Sequence, residues 1–141
     1  MDYQQLTKEF LDDMFLKRPP AKTMFELSKG EMGTMLYLVV ENNHAVAGDI
    51  SKRIRLTSGR MASVLKSLEK KGLITKKQCE KDKRQTIVSA TKKGEALVAK
   101  HRQIVFDHVL NMLRFLGEED AAAYVRINKR LNNEFDPNQK Y

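Results

Sequence analysis

Thr57, Ser58, Gly59, Arg60, Ser63 and Lys66 gather hydroxyls, a guanidinium and an ammonium within about three turns of one helix. Such groups donate hydrogen bonds to anions and base edges, and they hold no nucleophile–base pair. At 100° per residue Gly59, Ser63, Lys66 and Lys70 share an outer face, flanked by Arg60, Ala62 and Ser67, opposite Met61, Val64, Leu65 and Leu68. That face is small, polar and basic, as a helix entering the major groove of duplex DNA requires. Arg60 is the candidate for a bidentate contact to guanine. Ser58 and Ser63 suit bases or phosphates. Gly59 costs roughly 1 kcal/mol in a helix; it either lets the helix tip approach a phosphate or is merely tolerated. Further along, Asp82-Lys83-Arg84 closes a basic loop. Arg84 suits a narrow minor groove, which attracts guanidinium. Asp82 is expected to hydrogen-bond the turn and hold Arg84. Lys76, Lys77, Lys81, Lys83, Lys92 and Lys93 are expected at the DNA backbone.

Charge distribution supports the same ligand. The 141 residues carry +8, yet 14 Lys/Arg and three acids between Lys52 and Lys93 give that segment +11 and leave the remainder at −3. Segregation of this kind marks a surface for a polyanion, here double-stranded DNA. The plainer alternative is a solvated lysine-rich face.

Enzyme chemistry finds no support. His101 and His108 stand two turns apart without an Asp, Glu or Cys set at ligand spacing, and Asp107 points away from its neighbour. There is no phosphate-binding glycine loop and no nucleophile elbow. No catalytic residue, cofactor or metal is expected. The single Cys79 cannot form an intrachain disulfide, suits a reducing compartment, and reads as an incidental exposed cysteine. The longest apolar stretch, Met35 to Val40, is too short to span a bilayer, and the first residues show no signal pattern. The expectation is a cytoplasmic protein with no membrane partner.

The elements that must position these groups follow from periodicity and caps. Tyr3, Leu6, Phe10 and Met14, widened by Leu11 and Phe15, predict a helix over 2–16 that Pro19-Pro20 stops. A short link with Met24, Phe25 and Leu27 follows. Ser28 and Glu31 form a capping-box pattern. The helix it opens carries Met32, Met35, Leu36 and Val39 on one side and Leu38 and Val40 on another. It is expected to be buried nearly all round and to end at Asn42-Asn43. Ala47, Ile50 and Ile54 mark a two-turn helix. Thr57 is the N-cap of the next, with Leu56 and Met61 at staple positions and Gly72 after its end. Leu73–Gln78 and Gln85–Ala90 predict a β-hairpin with a basic tip. Thr91 caps a long helix, 92–116, with Leu97, Ile104, Val105, Met112, Leu113 and Leu116 as its stripe. Glu118-Glu119-Asp120 opens a last helix that reaches about 133 through Tyr124, Val125 and Leu131.

From Ser28 to Gly94 the chain resembles the MarR family of bacterial transcriptional regulators. Leu68-Glu-Lys-Lys-Gly-Leu73, Asp82-Lys-Arg84 and Ala90-Thr-Lys-Lys-Gly94 carry the likeness. The flanking helices match in order and length. The resemblance implies a homodimer held by the first and last two helices, a wing arginine in the minor groove (here Arg84, supported by Asp82), and usually a repressor. It also implies a small-molecule effector between dimer helices and DNA lobe. One departure concerns the operator: many members have Thr-Arg where this chain has Ala62-Ser63.

The fold class expected is mainly α (α+β): a winged helix-turn-helix over 28–92, a helical dimerisation lobe of 1–27 and 93–135, and a polar tail of 136–141. The function expected is sequence-specific regulation from an inverted-repeat operator. The alternative is a winged-helix architectural protein that binds DNA without strong sequence preference. A winged helix that meets an acidic protein is a more distant rival.

Overall fold

The computed structural model describes residues 1–16 and 26–140. Helix α1 (Tyr3–Leu16) starts at Asp2, whose carboxylate accepts the N–H groups of Gln4 and Gln5 at 3.0 and 3.1 Å. These are donors that a helix start leaves without intrahelical partners. The Pro19-Pro20 stop and the link residues Met24 and Phe25 lie outside the described residues.

Helix α2 (Lys29–Leu36) begins on Ser28, whose Oγ accepts the Glu31 N–H at 3.1 Å. Only this half of the capping box forms. The Glu31 carboxylate turns inward instead, accepting from Lys71 Nζ at 2.7 Å and Ser67 Oγ at 3.4 Å. A cationic donor outcompetes a neutral N–H for a carboxylate, because charge-assisted hydrogen bonds are stronger. The helix then widens into a π-helical turn, Tyr37–Glu41, closed by Asn42 N–H donating to Tyr37 O. Met35 and Leu38 are fully buried, but Val40 is 52% exposed, so the expectation of burial nearly all round is corrected.

The sequence reading missed a strand, β1 (Ala45–Val46), which runs directly into α3 (Ala47–Ile54). Helix α4 (Ser58–Lys70), strands β2 (Ile74–Gln78) and β3 (Thr86–Ala90), and helices α5 (Lys92–Leu116) and α6 (Glu118–Glu134) follow. The sheet is antiparallel with order β1-β3-β2, and Val88 of β3 lies opposite both Ala45 and Lys76. The fold is thus mainly α with a small sheet.

The described chain divides into two compact units, Met1–Gly94 and Glu95–Tyr141. In the first, α4 packs on α2 and α3 and buries Met61, Leu65 and Leu68. Gly72, at φ +75, ends the turn after α4. The Thr91 hydroxyl donates to Gly72 O at 2.7 Å and accepts the Gly94 N–H at 3.1 Å, which starts α5 against the hairpin. A Cβ at Gly94 would stand 2.3 Å from Leu73 O and 2.6 Å from Met35 Cε. Only hydrogen fits there, which gives the glycine of the Thr-Lys-Lys-Gly run a packing reason.

In the second unit, α6 opens with Glu118, Glu119 and Asp120 at its positive end. It buries no residue, and Phe115 near the end of α5 is 88% exposed. None of the described helices is long and apolar enough to cross a membrane.

Candidate nucleic-acid interface

Two devices set the tip of α4. Arg55 ends α3 in the left-handed conformation, and its N–H and that of Leu56 both return to Ser51 O. Thr57 then caps α4, its Oγ1 accepting the Arg60 N–H at 3.2 Å. The Thr57 oxygen is therefore engaged in the cap, and its O–H hydrogen is what it can offer a ligand. The burial of Met61, Leu65 and Leu68 fixes the rotation of the helix. Ser58, Gly59, Arg60, Ala62, Ser63 and Lys66 are in consequence exposed. Ser63 Oγ donates back to Gly59 O at 3.3 Å. A Cβ at Gly59 would meet nothing within 4 Å, so no internal contact calls for glycine there.

The wing is closed by its own side chains. Cys79 N–H donates to Gln85 O, and Gln85 N–H to Asp82 O, both at 3.0 Å. Gln78 Nε2 donates to Lys83 O at 2.7 Å. Asp82 Oδ1 accepts from Arg84 twice, from its backbone N–H at 3.0 Å and from its Nε at 3.2 Å. The Arg84 side chain is 92% exposed. One carboxylate thus holds both ends of a residue whose guanidinium is presented to solvent.

Two of the lysines expected at the DNA backbone have structural partners. Lys76 Nζ stands 3.5 Å from Glu69 Oε1, and Lys93 Nζ donates to Lys71 O at 3.0 Å. Lys77, Lys81, Lys83 and Lys92 are exposed. Cys79 is half-buried, where sequence reading made it exposed. Among the described residues no three His, Cys, Asp or Glu side chains gather as a metal site.

Between α3, α4 and the wing strands lies a cleft of about 240 Å³, lined by Gly48, Ser51, Ser58, Ala62, Lys76 and Thr86 among others. Met61 and Leu65 form its apolar floor, and Ser51, Ser58, Lys76 and Thr86 bring polar groups to it. Ser51 and Thr86 were absent from the sequence-based site. They come from separate elements, and no local spacing joins them.

A family model described as a winged helix DNA-binding domain matches residues 31–109. Over 65 residues the chain is 34% identical to the organic hydroperoxide resistance transcriptional regulator of Bacillus subtilis (strain 168). That match covers 46% of this chain and 44% of the relative, so it spans less than half the relative's length. Among solved structures, Streptococcus pneumoniae FabT in complex with DNA is similar at a TM-score of 0.73 and 24% identity, over 93% of this chain and 95% of that one. MepR of Staphylococcus aureus, described as a transcription regulator of the multidrug efflux pump MepA, is similar at 0.69 and 23%, over 94% and 98%. PcaV of Streptomyces coelicolor is similar at 0.69 and 18%, over 94% and 96%. At these identities the solved structures share the fold.

Proposed function

The chain belongs to the winged helix DNA-binding domain family, and from that premise we propose that it is a MarR-type transcriptional regulator reading duplex DNA as a homodimer. Each subunit lays α4 in a major groove and its wing in the adjoining minor groove. Arg60 reads a base; Thr57, Ser58, Gly59, Ser63 and Lys66 position the helix on bases and phosphates; Lys83 and Arg84 serve the wing, with Asp82 as support. The observation that carries this function is the pairing of an exposed outer face on α4, with no acid among Ser58, Gly59, Arg60, Ser63 and Lys66, with a wing arginine held by Asp82.

The second copy covers the apolar side chains that the terminal helices expose. Tyr3 and Phe10 on α1, Phe106 and Phe115 on α5, and Tyr124 and Leu131 on α6 are all exposed. Residues 28–92 then form the DNA lobe, and 1–27 with 93–135 the dimerisation lobe. The protein acts in the cytoplasm as a repressor on an inverted repeat, and a small-molecule effector releases it. The likeness to regulators, one of them solved in complex with DNA, supports this part.

Random-site selection on duplex DNA tests the function. An enriched inverted repeat, with half-sites about one helical turn apart, is the expected result. Flat output, with binding to every duplex alike, would replace the regulator by an architectural protein.

A further inference from the structure

Arg55 closes α3 at φ +58 and ψ +47, in the left-handed region. An L side chain crowds its own backbone there, and glycine alone meets little penalty. Helices often end on such a glycine, and the turn of a helix-turn-helix often contains one. Arginine is the less stable choice for the fold at this position.

Among the described residues two other non-glycine residues have positive φ, Glu26 and His44. The His44 ring meets the Ser89 hydroxyl, and the Glu26 carbonyl accepts from Lys71 Nζ at 3.3 Å. Arg53, two residues before Arg55, is held by Glu41 at 2.8 Å. The Arg55 side chain is exposed and makes no hydrogen bond or ion pair among the described residues. It leaves the backbone two residues before Thr57, at the end of α4 where Ser58, Gly59 and Arg60 are exposed. Strain at a residue with an exposed charge, beside a recognition surface, is the pattern of a position kept for its ligand.

We propose that Arg55 is a DNA-backbone contact, its guanidinium neutralising a phosphate beside the bases that α4 reads. This rests on the DNA-binding function proposed above. The turn gives up stability and gains a cation at a fixed place on the reading surface. Because the two effects have opposite signs, one substitution separates them. Arg55→Gly relieves the left-handed strain and deletes the charge; Arg55→Lys keeps both.

The 141-residue chain and both variants are compared by thermal unfolding and by binding to a selected duplex and an unrelated one across a salt series. Arg55→Gly should unfold at the parent's temperature or above it. It should bind both duplexes more weakly, by about tenfold near physiological salt, with a log–log salt slope smaller by about one per subunit. Arg55→Lys should keep the slope. If the parent binds and Arg55→Gly matches it in affinity and slope, the contact does not exist. A lower unfolding temperature for Arg55→Gly would overturn the inference by showing that arginine serves the fold. A parent that binds neither duplex would overturn the DNA-binding function, and this contact with it.

Discussion

Helices α4 and α6 share a pattern and stand in opposite situations. Both are amphipathic, at 13 and 17 residues. Helix α4 buries Met61, Leu65 and Leu68 within the chain, so the side it turns to solvent is small and polar, with Ser58, Arg60, Ser63 and Lys66 exposed. Helix α6 buries nothing, and Tyr124, Ile127 and Leu131 remain exposed. Fully burying such side chains is worth about 1.5–3 kcal/mol each. One helix has a satisfied apolar face and a polar face suited to an anion; the other has an apolar face with no cover. The same amphipathic pattern is therefore satisfied within the chain in one place and left exposed in the other, and the proposed function makes the first a ligand-reading element and the second an assembly element.

The contrast is broken most forcefully at its buried side. Leu68→Ala should destabilise the chain by about 2–5 kcal/mol, since Leu68 is fully buried and truncation leaves a cavity. Urea unfolding measures it. A loss under 1 kcal/mol would mean that α4 is not anchored as described. On the other side, sedimentation at micromolar concentration should give about twice the 16.3 kDa chain mass. Leu131→Asp together with Phe115→Asp should shift that mass toward a single chain while far-ultraviolet circular dichroism stays helical. A parent that sediments as a clean monomer would remove the difference in role between the two helices.

The sequence made much of this legible, and the exceptions have a common cause. Caps and stripes are local signals. Thr57, Thr91, Gly72 and the Met61–Leu68 stripe therefore placed the helices to within a residue or two. Asp82 was legible as the support of Arg84 because its partner is two residues away. What was missed depends on partners distant in sequence. Strand β1 has two residues and exists because Ala45 and Val46 pair with Val88 and Ile87. Glu31 abandons its expected cap because Lys71, 40 positions later, reaches it. Val40 leaves the core because the helix widens by a π-helical turn, which no 3.6-residue pattern encodes. The left-handed Arg55 was hidden because glycine, the residue that advertises this conformation, is absent.

Within the reading face, base and phosphate contacts should separate. Arg60→Ala should cost about 1–3 kcal/mol and relax preference at one base position per half-site. Lys66→Ala should weaken all sequences similarly. Selected-site profiles compare them, and an unchanged profile for Arg60→Ala would place Arg60 on the backbone or outside the groove.

The smallest effect expected is at Asp82, and it sharpens the comparison by asking whether a surface can be ordered without being buried. Its bond to Arg84 Nε is exposed on one side and half-exposed on the other, so its intrinsic worth is about 0.2–1 kcal/mol. Two consequences of its removal oppose each other. The arginine loses its anchor and must be ordered on binding, which weakens the complex. A negative charge also leaves the vicinity of phosphate, which strengthens it. Asp82→Asn keeps an oxygen to accept the Arg84 N–H but deletes the charge; Asp82→Ala deletes both. The asparagine variant should therefore bind as well as the parent or better, and keep any preference for A·T-rich flanks that Arg84 confers. The alanine variant should lose that preference, as a milder form of Arg84→Ala, which should also lower the salt slope by about one per subunit. Affinity on two duplexes that differ only in flanking composition measures both. If Asp82→Ala discriminates the flanks as the parent does while Arg84→Ala does not, the carboxylate closes the turn but does not aim the guanidinium.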